Sequence, residues 1–195
     1  MSYEVCPVCK GMMLDSPRSF NGVKVCSALC CSALISAEIA KAKKPNDASI
    51  YDADYFLRGK QTGKSLYEDY RWLPDLTIPM VQAIINHLSI SQDDVVLDFG
   101  CARGYMVKAF RQLGYIAYGY DTSKWAVENA DSKVYHHLTT SKELMLSTSY
   151  DWIIAKDVLE HIHRIGEVVD TLMVARKGVF VVVPLAHGVK TNVRK

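Results

Sequence analysis

The chain has 195 residues, 49% of them hydrophobic and 23% charged, with a formal net charge of +2. This is the composition of a globular protein of one medium domain plus a small appendage. The weak charge gives no support for a nucleic-acid partner, and no apolar run reaches the roughly 20 residues that a membrane span needs.

The N-terminal MSYEVCPVCKG lacks the apolar stretch of a secretory signal, which predicts a cytoplasmic protein with no membrane association. In that compartment cysteines serve as metal ligands or free thiols. Five of the six lie in the first 31 residues. Cys6-Pro-Val-Cys9 is a knuckle, and Cys26-Ser-Ala-Leu-Cys30 follows after sixteen intervening residues. Two thiolate pairs so spaced can bind Zn tetrahedrally at Cys6, Cys9, Cys26 and Cys30. A segment this short buries too little surface to fold alone, so the metal would supply the missing stability. The pattern is similar to treble-clef zinc modules, with a knuckle, a hairpin through Asn21-Gly22 and a helix start. Cys31 is a spare thiol that could compete with Cys30. Residues 1–44 are therefore expected to form a zinc-binding module, ending in an Ala-rich, Lys-tailed helix broken at Pro45-Asn46-Asp47.

Residues 45–76 form an aromatic linker or lid, rich in Tyr51, Tyr55, Phe56, Tyr67, Tyr70, Arg71 and Trp72, without a clean period. It reads as loop with short helical pieces. Within it, Gly59 to Lys64-Ser65 imitates a phosphate-binding loop but has three residues between its glycines where four are needed, and no apolar strand precedes it.

Residues 77–195 read as a Rossmann-like domain. Met80, Val81, Ile84, Ile85 and Leu88 have helical spacing from Thr77. A strand over Val95–Phe99 leads to a helix over Tyr105–Leu113, stopped by Gly114. A strand over Tyr115–Tyr120, a helix over Ser123–Ala130 and a short strand over Lys133–His136 follow. A fourth strand covers Trp152–Ala155, a helix covers Gly166–Lys177, and a fifth strand covers Val179–Val183. This alternation predicts an α/β parallel sheet with helices on both faces.

The first strand opens into Asp98-Phe-Gly100-Cys-Ala102-Arg-Gly104. Small residues at 100, 102 and 104 permit a sharp turn and close approach of a ligand to the backbone. The next helix aims its N-terminal amides at the same space. The spacing Gly-x-Ala-x-Gly departs from the dinucleotide fingerprint. Asp121 follows the second strand, placed to accept from a ribose diol.

LDFGCARGYMVKAF, GYDTSKWAVENA and YDWIIAKDVLEHI, in that order, resemble the class I S-adenosylmethionine-dependent methyltransferases, closest to the branch acting on small molecules or sugars. The resemblance covers roughly residues 77 to 184. It implies that Gly100, Ala102 and Gly104 line the methionine part of the cofactor and that Asp98 orients the loop and the cofactor's amino group. It implies that Asp121 binds the ribose hydroxyls, that Trp125 flanks the adenine, and that Asp157 closes the site. The resembling family often has an acidic or polar residue after the third strand to contact the adenine; here His136-His-Leu-Thr-Thr-Ser141 follows, with no carboxylate until Glu143, and no residue is assigned to that contact. Asp157, Glu160, His161 and His163 are candidates for a base, and Asp157, Glu160 and His161 are carried forward as catalytic residues. Neither an Asn-Pro-Pro-Tyr-like nor a Pro-Cys sequence follows strand four, which disfavours methylation of DNA bases. Cys101 reads as a small buried residue.

The function these features imply is methyl transfer to a small-molecule or sugar acceptor. The alternatives are a nucleic-acid methyltransferase that docks through the zinc module, and a non-catalytic methyltransferase-like assembly component. The resembling family orders its strands 3-2-1-4-5-7-6, but after Pro184 only eleven residues follow. They cannot supply two strands and a helix, so the sheet is expected to be C-terminally shortened. Val179–Val183 would then be an apolar edge that another chain covers.

Overall fold

The computed structural model describes residues 18–20, 23–25, 48–162 and 165–184. The chain divides into two compact units, 1–46 and 47–195. In the first, β1 (Arg18–Phe20) and β2 (Val23–Val25) pair antiparallel, with Phe20 opposite Val23. This is the pairing expected around Asn21-Gly22. The four proposed zinc ligands lie outside the described residues. Among the described residues no cluster could hold a metal ion.

The second unit is a parallel sheet of five described strands: β3 (Val95–Phe99), β4 (Ile116–Tyr120), β5 (Leu138–Thr139), β6 (Trp152–Lys156) and β7 (Gly178–Val182). Their order is β5-β4-β3-β6-β7. The first two crossovers build one half of the sheet and the later ones the other, so the order reverses between β3 and β6. Such a reversal opens a crevice at the carboxyl ends of the strands.

Side chains alternate along β3. Val96 joins Val81, Ile84, Ile85, Val107 and Phe110 on one face. Leu97 and Phe99 join Met145, Tyr150, Ile153 and Leu172 on the other. The first face is covered by α3 (Pro74–Leu88) and α4 (Tyr105–Gln112). The second is covered by α6 (Lys142–Leu146) and α7 (Ile165–Leu172). The α5 helix (Lys124–Glu128) follows β4. Helices therefore flank both faces, as the alternating pattern predicts.

Several boundaries differ from the sequence reading. α3 starts at Pro74, not Thr77, because proline suits the first helical position and the amides of Leu76 and Thr77 both donate to Leu73 O. The strand expected over Lys133–His136 is instead a turn and a short 3₁₀ segment, with the strand displaced to Leu138–Thr139. Asp131 causes this: it accepts from the Lys133, Val134 and Tyr135 amides, and Val134 is used as a core residue. α6 was not anticipated, although Ser141 caps it by accepting from the Leu144 amide. α7 ends at Leu172, five residues short of the expected Lys177.

In the aromatic segment, α1 (Ala53–Leu57) and α2 (Gly59–Thr62) are the short helical pieces expected. The false phosphate loop is spent on this local structure. Gly59 opens α2, Gly63 ends it in a left-handed conformation, and Ser65 Oγ donates to Tyr55 O at 2.5 Å. β7 pairs with β6, and among the described residues no strand lies on its other side. No described helix is long and apolar enough to cross a membrane.

Candidate functional site

The turn after β3 is built on left-handed residues at every second position. Gly100, Ala102 and Gly104 have φ of 83°, 48° and 74°. At Gly100 a Cβ would also lie 2.3 Å from Val158 Cγ2, so both conformation and space exclude a side chain. Ala102 holds the same region at some cost in strain, which residues near functional sites often carry. The turn is pinned from β4: the Gly100 and Cys101 amides both donate to Tyr120 O, at 2.7 and 3.0 Å.

Asp121 completes the pin. Its Oδ2 accepts from the Ala102 amide and its Oδ1 from the Ser123 amide, each at 2.7 Å. A carboxylate offers about four lone-pair sites, so two bonds leave capacity for a diol. Burial raises the Asp121 carboxyl above its ordinary value, and the two backbone bonds oppose the rise. Asp98, 4% exposed, lies at the end of the adjacent strand. Its burial, aided by the charge of Asp121, pushes its carboxyl up to about 8, while Lys156 opposes the shift. Lys156 is itself ion-paired with Asp157. Two acids on neighbouring strand ends, with the nearby cation already paired to Asp157, make an acidic patch that a positively charged group would relieve.

The structure thus brings Asp98, Gly100, Ala102, Gly104 and Asp121 together. Trp125, on α5, stacks on Phe56 with ring centroids 5.5 Å apart and planes 16° from parallel. One of its faces is therefore engaged by the aromatic segment.

Asp157 ends β6 in a left-handed conformation, φ 55°, with its amide donating to Val182 O at 2.8 Å. Glu160 and His161 sit on a 3₁₀ turn, Leu159–His161, not the first turn of a helix. His161 Nε2 lies 3.8 Å from Glu160 Oε1. Leu159 and Ile162 are partly buried and pack against the second core cluster. His163 lies outside the described residues. Cys101 is buried.

Sequence reasoning did not single out Ser123, Lys156 or Arg103. Ser123 is 1% exposed; its Oγ accepts from the Ala126 amide and donates to Tyr51 O. The Asp-x-Ser capping pattern is its only trace in the sequence. Nothing local marks Lys156 or Arg103.

Fold and site define a Rossmann-like domain whose switch-point crevice is lined by a small-residue turn and two acids. A family model described as "Methyltransferase domain" matches residues 76–188. The chain belongs to that family. No curated protein matches it. Among solved structures, magnesium protoporphyrin IX methyltransferase from Synechocystis, with bound SAM, is 21% identical at a TM-score of 0.47, covering 68% of this chain and 73% of that one. Coclaurine N-methyltransferase, bound to N-methylheliamine and SAH, is 16% identical at 0.48, covering 76% and 48%. A protein described as a methyltransferase of an antibiotic biosynthesis pathway, from Anabaena variabilis, is 21% identical at 0.45, covering 53% and 44%. The chain thus spans less than half the length of two of these three.

Proposed function

We propose that this chain transfers a methyl group from S-adenosylmethionine to a small-molecule acceptor, including sugars. The observation that carries the reading is the left-handed turn at Gly100, Ala102 and Gly104, set between the acids Asp98 and Asp121 at the sheet reversal. The turn would admit the methionine part, Asp98 its ammonium and Asp121 the ribose hydroxyls. The bound cofactor would supply an activated methyl on a sulfonium.

The chain's own contribution is alignment, which can supply on the order of 7–11 kcal/mol. Asp157, Glu160 and His161 follow the strand end that faces this crevice, and one of them would take a proton from a hydroxyl acceptor. Support for a small acceptor comes from the aromatic segment, which packs at the same end of the sheet through Phe56 on Trp125 and Tyr70 on Tyr105. The net charge of +2 gives little support to a nucleic-acid substrate. Calorimetry tests the reading: S-adenosylmethionine should bind at one site per chain. No heat and no displacement by S-adenosylhomocysteine would remove it.

The same reading includes one Zn per chain at Cys6, Cys9, Cys26 and Cys30, supported by their spacing and by the β1–β2 pair between them. Metal analysis of the purified protein should find zinc; its absence, with these thiols freely reactive, argues against the module. We propose also that another chain adds to β7, where Val181 is 43% exposed and Val183, just past the strand, 48%. Light scattering should then show association that grows with concentration.

A further inference from the structure

The aromatic segment 51–72 and the turn at 100–104 are far apart in sequence, yet they share side chains. Arg103 stands inside the turn, between Ala102 and Gly104. Its Nη1 donates to Tyr70 O at 2.9 Å and its Nε to Asn129 O at 2.8 Å. Its guanidinium carbon also lies 5.6 Å from the centre of the Tyr105 ring, and that ring stacks on Tyr70. Only a planar, multi-donor fork can hold two carbonyls from separate segments while resting on an aromatic face. A second cation, Lys108, places its Nζ 4.6 Å from the centre of the Trp72 ring and pairs with Asp131.

Tyr70 in turn organises the segment. Its amide donates to Phe56 O at 2.9 Å, and its ring meets Tyr67 at 4.9 Å and Phe56 at 5.5 Å. The Lys60 amide closes the same fold onto Tyr67 O at 2.9 Å.

We propose that Arg103 is a positioning residue that couples the cofactor turn to the acceptor-side aromatic wall, so that the wall of Phe56, Tyr67 and Tyr70 is held in register with the bound cofactor. This rests on the reading of the crevice as an S-adenosylmethionine site. Arg103 acts through Tyr70 O, and its named donors are committed to protein carbonyls. Its removal therefore loosens the wall. Ligand binding, which orders the turn, is transmitted to residues 56–70 through the same fork.

Amide hydrogen exchange on the full chain, with and without S-adenosylhomocysteine, tests this. In Arg103→Ala the Tyr70 and Lys60 amides should exchange at least about tenfold faster than in the wild type, while Val96 to Phe99 stay unchanged. S-adenosylhomocysteine should slow the Tyr70 amide in the wild type and not in Arg103→Ala. Arg103→Lys, with a single point donor in place of the fork, should fall between the two. Unchanged exchange in both variants overturns the proposal. So does loss of ligand binding with the segment still protected, which would make Arg103 a ligand contact. A wild type that binds neither S-adenosylmethionine nor its product defeats the methyltransferase reading instead. The ligand-free exchange comparison then still decides whether Arg103 holds the wall.

Discussion

The two ends of the sheet use buried aspartates in opposite ways. At the amino ends, Asp94 and Asp151 are matched. Asp94 accepts from Lys177 Nζ at 2.6 Å, from Trp152 Nε1 at 3.0 Å and from the Ser91 amide. Asp151 accepts from the Val95 amide and from Arg176 Nη2, both at 2.9 Å. Burial would raise the Asp94 carboxyl, but its bonds to Lys177, Ser91 and Trp152 outweigh that and leave it low. The Val95 amide, with help from Arg176, lowers Asp151 against its burial. At the carboxyl ends, Asp98 and Asp121 are both raised. A buried carboxylate matched by a cation is held ionised as structure; one held only by backbone amides, as Asp121 is, or pressed by a neighbouring acid, as Asp98 is, stays costly to ionise until a cation reaches it. One end of the sheet thus carries matched aspartates, and the other carries aspartates whose ionisation costs stability.

Asp98→Asn is the strongest way to break this contrast. It keeps the shape and removes the charge, so S-adenosylmethionine affinity should fall by about 3 kcal/mol or more, read by calorimetry. The same variant should be the more stable protein at neutral pH. With a folded value of about 8 against an ordinary 3.8, Asp98 holds its proton more tightly when folded. Its contribution is present in full below the ordinary value and is lost as pH rises towards 8. Thermal melts should show the advantage of the variant growing across that window to roughly 2–5 kcal/mol. A variant no more stable than the wild type at pH 8 would mean that Asp98 is not a strained acid.

Asp94→Ala should do the reverse, costing about 2–4 kcal/mol of stability in denaturant titrations with cofactor affinity unchanged. Because the folded Asp94 and Asp151 carboxyls lie below their ordinary values, the stability they give is present above about pH 4. It is lost as pH falls through their folded values. Asp121→Ala should weaken cofactor binding by roughly 1.5–3 kcal/mol through two lost charge-assisted bonds. It should also loosen the turn, since Ala102 loses its acceptor; unchanged affinity would take Asp121 out of the site. The smallest effect concerns pH dependence of binding. A cationic ligand needs Asp98 ionised, so affinity should rise from pH 6 to pH 8 by at most about tenfold per unit. A flat profile would place the ligand's charge elsewhere.

The features readable in the sequence are those with short-range causes. Val95–Phe99 is apolar apart from Asp98 and ends in a small-residue turn, so strand, turn and helix follow from composition and spacing alone. Gly114 stops α4 and Ser123 starts α5 by local capping. The boundaries that differ also have local causes, as at Pro74, where a proline begins a helix, and at Asp131, whose side chain and carbonyl bend the chain into a turn and delay β5.

By itself, then, the sequence determined the α/β alternation, the acids at 98 and 121 and the turn between 100 and 104, because hydrophobic period and glycine placement are written residue by residue. Tertiary structure alone decided that Asp98 is a raised acid while Asp94, four residues earlier, is a lowered one. The same carboxyl group is lowered or raised according to which distant donors reach it: Lys177 and Trp152 fold back onto Asp94, whereas Lys156, the cation near Asp98, is drawn onto Asp157. The same holds for Arg103, whose fork meets carbonyls 33 and 26 residues away, at Tyr70 and Asn129. Electrostatic environment depends on neighbours in space, and the chain must fold before those neighbours exist.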